Sequence, residues 1–373
     1  MCACKVSFPH FGNYHAPLYV LFTVGFEVEY IVPPPVTQRT LTIGSHHSPE
    51  FVCAPFKYTL GNFIETIAAG ADTLIQTTGI CRLAYYGELQ EQILADLGYE
   101  VNFINLAGMK KLNPLEIYNR LKQVNPKASL RKIAATLPMV LKMVEYMDET
   151  EDYIRKNVGF ACREGLFEKT HAEFLATLMT VRNRKELDQV YRDFRRRFRS
   201  IEVAKPENPL RVGIVGEFYT IMMPFSNHFL EKELANMGIV VDRWLNISNT
   251  LLHPPRKIRE KVSPYTRYPM GITCSATISR ALELAQKGYD GIIHLKSFGC
   301  TPEVDAMPVL QNISKDYQIP ILFFSFDTQT SETGFKTRLE AFYDMLLMKK
   351  KREAIASGNS RCREAGDYAC NYF

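Results

Sequence analysis

The sequence predicts an α/β protein of two Rossmann-like parallel-sheet domains, related by duplication, with a helical middle segment. Short apolar strands alternate with helices of about ten or more residues in both halves, the pattern of a parallel sheet. The order then repeats. Gly70-Ala71-Asp72-Thr73-Leu74-Ile75 leads to Cys81, and Gly288-Tyr289-Asp290-Gly291-Ile292-Ile293 leads to Cys300, with helix end, strand and cysteine aligned to within one residue. Between the halves, residues 110–205 carry no strand signal. They are rich in Leu, Met, Glu, Lys and Arg at helical spacing, as a helical insertion or bridge would be.

The first half is expected to open with a strand at 5–8, followed by the loop Pro9-His10-Phe11-Gly12-Asn13 and a helix to about residue 24, closed by Gly25. A strand at 26–32 is stopped by the three prolines at 33–35. A helix at 58–69 ends on Gly70, a strand spans 72–77, a helix at 85–97 ends on Gly98, and a strand spans 101–106. The second half reads as strand 211–215, helix 224–237 closed by Gly238, strand 239–244, helix 275–287 closed by Gly288 and strand 290–295. Helix 302–317, strand 319–326 and a final helix at about 335–350 complete it. The expected organisation is an N-terminal Rossmann-like domain at 1–108, a helical segment and linker at 109–207, a C-terminal Rossmann-like domain at 208–350, and a polar tail at 351–373. The linker holds Lys205-Pro206-Glu207-Asn208-Pro209, and the tail holds Cys362 and Cys370.

Hydrophobic residues make up 46% of the 373 and charged residues 23%, ordinary for a soluble globular chain. No apolar run approaches the roughly 20 residues that cross a bilayer. Met1-Cys2-Ala3-Cys4-Lys5 leads straight into a strand with no basic segment and apolar core, so no signal peptide is expected and the location is expected to be cytoplasmic. There the nine cysteines are expected to be reduced thiols, able to bind metal or react. The net charge of +5 suits an anionic partner without demanding one.

In an open α/β sheet the ligand site lies beyond the carboxyl ends of the strands. Cys81 and Cys300 each follow such an end, beside Gly79 and Gly299. Cys53 precedes the helix at 58–69, and Cys274, just before the helix at 275–287, is its expected counterpart. If the sheets face each other, Cys53, Cys81, Cys274 and Cys300 converge. Thiolates at that density select zinc or iron–sulfur. Compact zinc sites use cysteines two to four residues apart, and none of these four is so paired. Cys2 and Cys4 are too close for a zinc knuckle. Scattered ligands on separate loops fit a cluster at a domain interface better, although spacing alone leaves small buried thiols equally open.

The segments Phe8-Pro9-His10-Phe11-Gly12-Asn13, Pro49-Glu50-Phe51-Val52-Cys53, Leu60-Gly61-Asn62-Phe63-Ile64-Glu65 and Cys81-Arg82-Leu83-Ala84-Tyr85-Tyr86-Gly87-Glu88 carry a specific resemblance. Val212-Gly213-Ile214-Val215-Gly216-Glu217, Pro224-Phe225-Ser226-Asn227, Cys300-Thr301-Pro302-Glu303 and Thr337-Arg338-Leu339-Glu340-Ala341-Phe342 continue it over about residues 5–345. Together they resemble the 2-hydroxyglutaryl-CoA dehydratase D-component (beta subunit) superfamily, and within it the branch of CoA-dehydratase-activase-related proteins. The resemblance implies a [4Fe–4S] cluster on three cysteines, carried over by position to Cys53, Cys81 and Cys300, with one iron open to water or a thioester carbonyl. It implies an ATP-dependent activase that injects one electron, so that a ketyl radical expels a poorly activated hydroxyl. Relatives without dehydratase activity carry a double-cubane cluster and reduce small molecules at very low potential. A homodimer, or a heterodimer with a related subunit, is a further expectation.

Two departures bear on this. The branch is usually glycine- and serine-rich, without cysteine, where this chain reads Met270-Gly271-Ile272-Thr273-Cys274-Ser275, so Cys274 is a candidate fourth ligand that would cap the cluster and leave an electron relay or cluster scaffold. The branch also carries acidic and histidine residues where this chain has Asp327-Thr328-Gln329-Thr330-Ser331-Glu332. A fold relic without a cluster is the third reading.

Other residues weigh less. Lys57 and Arg82 stand beside candidate ligands, where a cation would offset cluster charge, or are surface cations. Glu65, Glu88 and Glu303 are each expected in a helix near a strand-end loop, where proton transfer competes with the commoner helix-dipole and surface roles. His10 and His15 lie in or near the same loops, His294 reads as a satisfied core histidine, and His46-His47 read as loop residues. Gly213 and Gly216 do not form a dinucleotide or phosphate loop, so no ATP site is expected. Arg192, Arg195, Arg196, Arg197 and Arg199 interleave with Tyr191, Phe194 and Phe198. That reads better as a helix with aromatics inward than as a nucleic-acid grip. Lys349–Arg352 suits a helix C-terminus.

Overall fold

A computed structural model describes residues 4–77, 85–106 and 114–356. Among the described residues, eight strands form two parallel sheets of four. The first contains β1 (Lys5–Ser7), β2 (Glu29–Tyr30), β3 (Thr73–Gln76) and β4 (Asn102–Asn105) in the order β2-β1-β3-β4. The second contains β5 (Arg211–Gly216), β6 (Val240–Asp242), β7 (Gly291–Ser297) and β8 (Ile321–Phe326) in the order β6-β5-β7-β8. The two orders are identical, so the α/β class with two Rossmann-like sheets of duplicated topology is as the sequence predicts. In each sheet the chain reverses direction of winding between the first and third strands, and the switch point opens at their carboxyl ends.

The first half carries α1 (His15–Val20), which loosens into a π-turn at Leu21–Gly25, then α2 (Gln38–His47), α3 (Ala54–Ala68) and α4 (Tyr86–Asp96). The middle is helical: α5 (Pro114–Leu121), α6 (Leu130–Asn157), α7 (Leu166–Leu178) and α8 (Arg184–Arg199). The second half adds α9 (Phe218–Met222), α10 (Leu230–Asn236), α11 (Ile258–Val262), α12 (Ile272–Gln286), α13 (Thr301–Asp316) and α14 (Glu332–Ala356).

Several elements differ from the sequence expectations. Helix α2 replaces an expected loop, so His46 and His47 form its last turn. Its composition is poor for a helix, and it stands because it lies flush on α3. A Cβ on Gly44 would overlap the Lys57 backbone, and one on Gly61 the Thr40 backbone. Helix α3 begins four residues early, directly after Cys53, with Pro55 in its first turn where no N–H is needed. The helix expected at 224–237 is instead a 3-10 turn at Pro224–Asn227 and α10, separated by His228 and Phe229 at φ +53° and +55°. Non-glycine residues seldom adopt that conformation, and it stops helix propagation. Finally, α14 runs to Ala356, beyond the expected end near 350.

Each sheet has its own buried core: Val6, Phe22, Ile75 and Ile104 with Phe56, Phe63 and Leu74 in the first, and Val212, Ile214, Ile293 and Leu339 with Ile278, Ile292 and Leu310 in the second. A further core joins Tyr14, Ala16 and Val20 to Met143, Met147, Phe167, Phe174, Phe194 and Phe198 of the middle helices. In α8 the phenylalanines face inward and Arg192, Arg195, Arg196, Arg197 and Arg199 are exposed. Among the described residues no helix is long and apolar enough to cross a membrane.

Candidate functional site

The carboxyl ends of the two sheets meet. After β1 the loop carries Phe11, which stacks on Phe218 of α9 with centroids 5.2 Å apart, and Tyr58 of α3 stacks on Tyr219 at 5.9 Å. At this seam Cys53 is the N-cap of α3, in extended conformation. Cys300 is the N-cap of α13, reached from β7 by a turn in which its N–H donates to Ser297 O at 3.0 Å. The caps lie against one another. The Ala54 N–H donates to Ser297 Oγ at 3.1 Å, and a Cβ placed on Gly299 would stand 3.9 Å from both Cα and Cβ of Cys53. Two half-buried thiols, one from each half, therefore share a seam at the positive ends of two helices, where a thiolate is favoured. The Cys53 thiol also lies 3.5 Å from the Tyr86 hydroxyl. Cys81 and Arg82 fall outside the described residues, as do Cys2, Cys362 and Cys370.

Cys274 is not a helix cap like Cys53. It sits inside the first turn of α12, fully buried among Val215, Val262, Ile278 and Ile292. Burial, with Glu303 and Asp305 adding, pushes its thiol up to about 12. The N-cap of α12, the position matching Cys53 on α3, is Gly271. The difference arises because α12 starts three residues ahead of its expected beginning. Among the described residues no three His, Cys, Asp or Glu side chains are grouped to hold a metal ion.

The motif residues around Cys53 tie its surroundings together. Asn62 Oδ1 accepts from the His10 N–H at 2.7 Å, while Asn62 Nδ2 donates to Pro34 O at 2.9 Å. Glu65 accepts from Thr40 Oγ1 at 2.6 Å and so pins α2 to α3, whereas Glu88 is exposed in the first turn of α4. Lys57 is half-buried in α3, its carbonyl facing Gly44. Burial, with help from nearby His15, lowers the His10 ring to about 4, and burial lowers His15 as well. In the second half Glu217 caps α9, accepting from the Tyr219 and Thr220 N–H groups at 2.7 and 2.8 Å, and burial raises its carboxyl. Asp327 accepts from the Gln329 N–H at 2.8 Å, holding the turn after β8.

Behind Cys300 lies a polar cluster of which the sequence reading caught only part. Glu303, 1% exposed, accepts from Thr277 Oγ1 at 3.1 Å and pairs with His294 Nε2 at 2.9 Å. His294 is fully buried, and its Nδ1 has no partner among the described residues, so it is a core histidine satisfied on one side. Glu303 is thus neither a surface group nor a simple dipole partner. Lys296, 6% exposed and missed altogether, donates to Ser325 Oγ at 2.7 Å. Burial lowers its ammonium, with Cys300 and Glu303 working against that shift. Its signal was available: His294 and Lys296 alternate on one face of β7, a strand buried along its whole length.

Residues 117–346 match the family of the 2-hydroxyglutaryl-CoA dehydratase D-component. The chain belongs to this family. No curated protein matches it. The match to the D-component family spans the middle helices and nearly all of the second half, including Cys300, Glu303, His294 and Lys296; Cys53 and Cys81 lie before it. Membership gives the coarse function, a component of 2-hydroxyacyl-CoA dehydratase type.

Proposed function

We propose that this D-component family member carries a [4Fe–4S] cluster on Cys53, Cys81 and Cys300 and works in low-potential electron transfer or dehydratase chemistry. The observation that carries the proposal is the meeting of Cys53 and Cys300 at one seam, each as a helix N-cap and each from a different half. The donor set fits: soft thiols, helix dipoles that favour thiolates, and a buried ammonium, Lys296, to offset the negative charge. When bound on three thiolates, such a cluster supplies single electrons and keeps one iron open to a further ligand.

The protein's own groups do the rest. Cys53 and Cys300 join the two halves, with 1–108 and 208–350 as the two domains and 109–207 as the bridge. Lys296 holds its charge beside Cys300, anchored on Ser325. Glu303 Oε2 and His294 Nε2 share a buried hydrogen bond behind the site, which fixes the start of α13 against β7. Cys274, in the core with its thiol raised to about 12, favours a three-ligand site over a capped relay. The partner we propose is an ATP-dependent activase, in the cytoplasm.

Anaerobic iron and sulfide analysis tests this reading. About four of each per chain are expected, and Cys53→Ala, Cys81→Ala and Cys300→Ala should each strip most of the iron. Full retention in all three variants overturns the assignment. Cys274→Ala should keep its cluster, and the wild-type electron paramagnetic resonance spectrum should respond to added acyl-CoA. A wild-type spectrum indifferent to acyl-CoA, beside a responsive Cys274→Ala spectrum, would favour the relay.

A further inference from the structure

Helix α8 turns Leu187, Phe194 and Phe198 into the core of the bridge. Its opposite crest, at steps of three and four residues, carries Lys185, Gln189, Arg192, Arg196 and Arg199, all exposed, with exposed Arg195 beside them. Gln189 and the four arginines line a shallow hollow of about 470 Å³. Arg192 Nη2 donates to Gln189 Oε1 at 2.8 Å, and the Arg195 guanidinium lies over the Tyr191 ring, 5.9 Å from its centroid. Arg196 pairs with Asp193, yet 77% of its side chain stays exposed. Elsewhere on the helix Arg184 pairs with Asp188 and Arg197 with Glu173 of α7. Among the described residues Arg192, Arg195 and Arg199 have no ion pair. The helix thus matches the arginines of its shoulders with carboxylates and leaves most of those of its crest over.

This crest works against the helix. Like charges three or four residues apart repel, and Arg192 with Arg195, Arg192 with Arg196, Arg195 with Arg199 and Arg196 with Arg199 are such pairs. The helix dipole favours cations in the last turn, which accounts for Arg196, Arg197 and Arg199 but not for Arg192 and Arg195. The guanidinium fork is suited to the paired oxygens of a carboxylate or a phosphate. Two observations choose carboxylates on a protein over the phosphates of a nucleic acid. First, the crest offers no ring to stack on a base: Phe194 and Phe198 are buried, and Tyr191 is stacked on Tyr146 with its hydroxyl donating to Glu149. Second, both shoulders are acidic. Asp188, which accepts from Tyr146 of α6, and Glu149 lie on one side, and Asp193 and Glu173 on the other. A duplex receiving α8 in a groove would press phosphates against both shoulders. A single helix laid along the crest meets the cations alone, at matching steps of about 4.5–6 Å along each axis.

We propose that the crest of α8 is a docking surface for a partner protein that presents an acidic stripe along one helix. Arg192, Arg195, Arg196 and Arg199 take its carboxylates, and the complementary charge sets the register of the two helices and speeds their encounter. None of these residues belongs to the cysteine seam, so the surface stands or falls independently of the cluster.

The test uses the full-length, anaerobically purified protein and a fluorescently labelled synthetic helical peptide of about 20 residues, with glutamates at steps of three and four along one face and lysines on its flanks. A scrambled peptide of the same composition and a labelled DNA duplex of about 20 base pairs are read beside it by fluorescence anisotropy. The patterned peptide should bind one equivalent saturably, about tenfold or more tighter than the scrambled one, and more weakly as salt rises. The crest variant Arg192→Gln/Arg195→Gln/Arg196→Gln/Arg199→Gln should lose about tenfold or more in affinity and should unfold no lower than the wild type, since its repulsions are gone. Arg256→Gln/Lys257→Gln/Arg259→Gln/Arg267→Gln removes as much charge from the exposed stretch between β6 and α12 and should bind as the wild type does. Should the crest variant fail to fold, Arg192→Gln/Arg199→Gln takes its place, with a smaller loss. Absence of saturable binding, no preference over the scrambled peptide, or equal losses in the crest variant and the β6–α12 variant overturns the proposal. Tighter binding of the duplex, lost in the crest variant, overturns it in favour of nucleic acid.

Discussion

The buried pair behind Cys300 offers a sharp test of how this half of the molecule holds together. His294 is fully buried in β7 and Glu303 is 1% exposed in α13, with Nε2 and Oε2 2.9 Å apart. Glu303→Leu keeps the bulk but removes the acceptor. His294 Nδ1 already lacks a partner, so the variant leaves the whole imidazole unanswered. One buried polar group so orphaned costs about 1–3 kcal/mol. The Thr277 hydroxyl, which donates to Glu303 Oε1, can swing to a backbone carbonyl in its own helix and adds little. The shape mismatch of Leu for Glu adds about 1 kcal/mol, for a total of roughly 2–4 kcal/mol. In a unit of this size that lowers the unfolding temperature by roughly 5–15 °C. The double variant His294→Leu/Glu303→Leu removes both partners and should regain most of the loss, since apolar replacement of a whole buried pair is nearly neutral. Differential scanning calorimetry of the wild type, the single variants and the double variant measures the cycle. A Glu303→Leu protein that melts with the wild type, or a double variant as unstable as the sum of the singles, would refute the pairing as an energetic unit.

Three further expectations follow from the same geometry. The His10 ring titrates near its ordinary 6.5 when unfolded but only near about 4 when folded. Its neutral form thus supports the fold fully above 6.5, and that support, about 3 kcal/mol, is lost as pH falls from 6.5 toward 4; His10→Gln should flatten the acid limb of a denaturation series, and an unchanged limb would count against it. Gly61→Ala drives a methyl into the Thr40 backbone, so it should cost about 1–3 kcal/mol and loosen the α2–α3 platform beneath Cys53, and a variant with wild-type stability and iron content would contradict that packing. Cys274, buried with its thiol raised to about 12, should resist iodoacetamide at mildly alkaline pH in the native protein while exposed Cys162 reacts; equal labelling rates read by mass spectrometry would place Cys274 outside the core.

Much of this molecule was readable from residue order. Period and punctuation placed nearly every strand to within a few residues, because apolar runs bounded by glycine report burial directly. The repeated glycine, strand and cysteine pattern disclosed the two sheets, and the aromatic stripe of α8 disclosed its inward face. Helix α2 was not legible, since Thr, Gly and His make a weak local signal and the helix exists only because Gly44 and Gly61 let two backbones touch. The break at His228 and Phe229 was equally silent, because a left-handed conformation of ordinary residues is imposed by packing and not by propensity. The same holds for the site. Sequence could place Cys53 and Cys300 at loop ends, but only the facing of the two sheets brings residues so far apart in the chain to one seam. It could mark Glu303 as a helix residue and His294 as a core residue, yet only the approach of α13 to β7 makes them a pair. Cys274 shows the converse. Its place before an expected helix likens it to Cys53, and only the structure shows α12 beginning at Ile272, with Cys274 inside its first turn and buried.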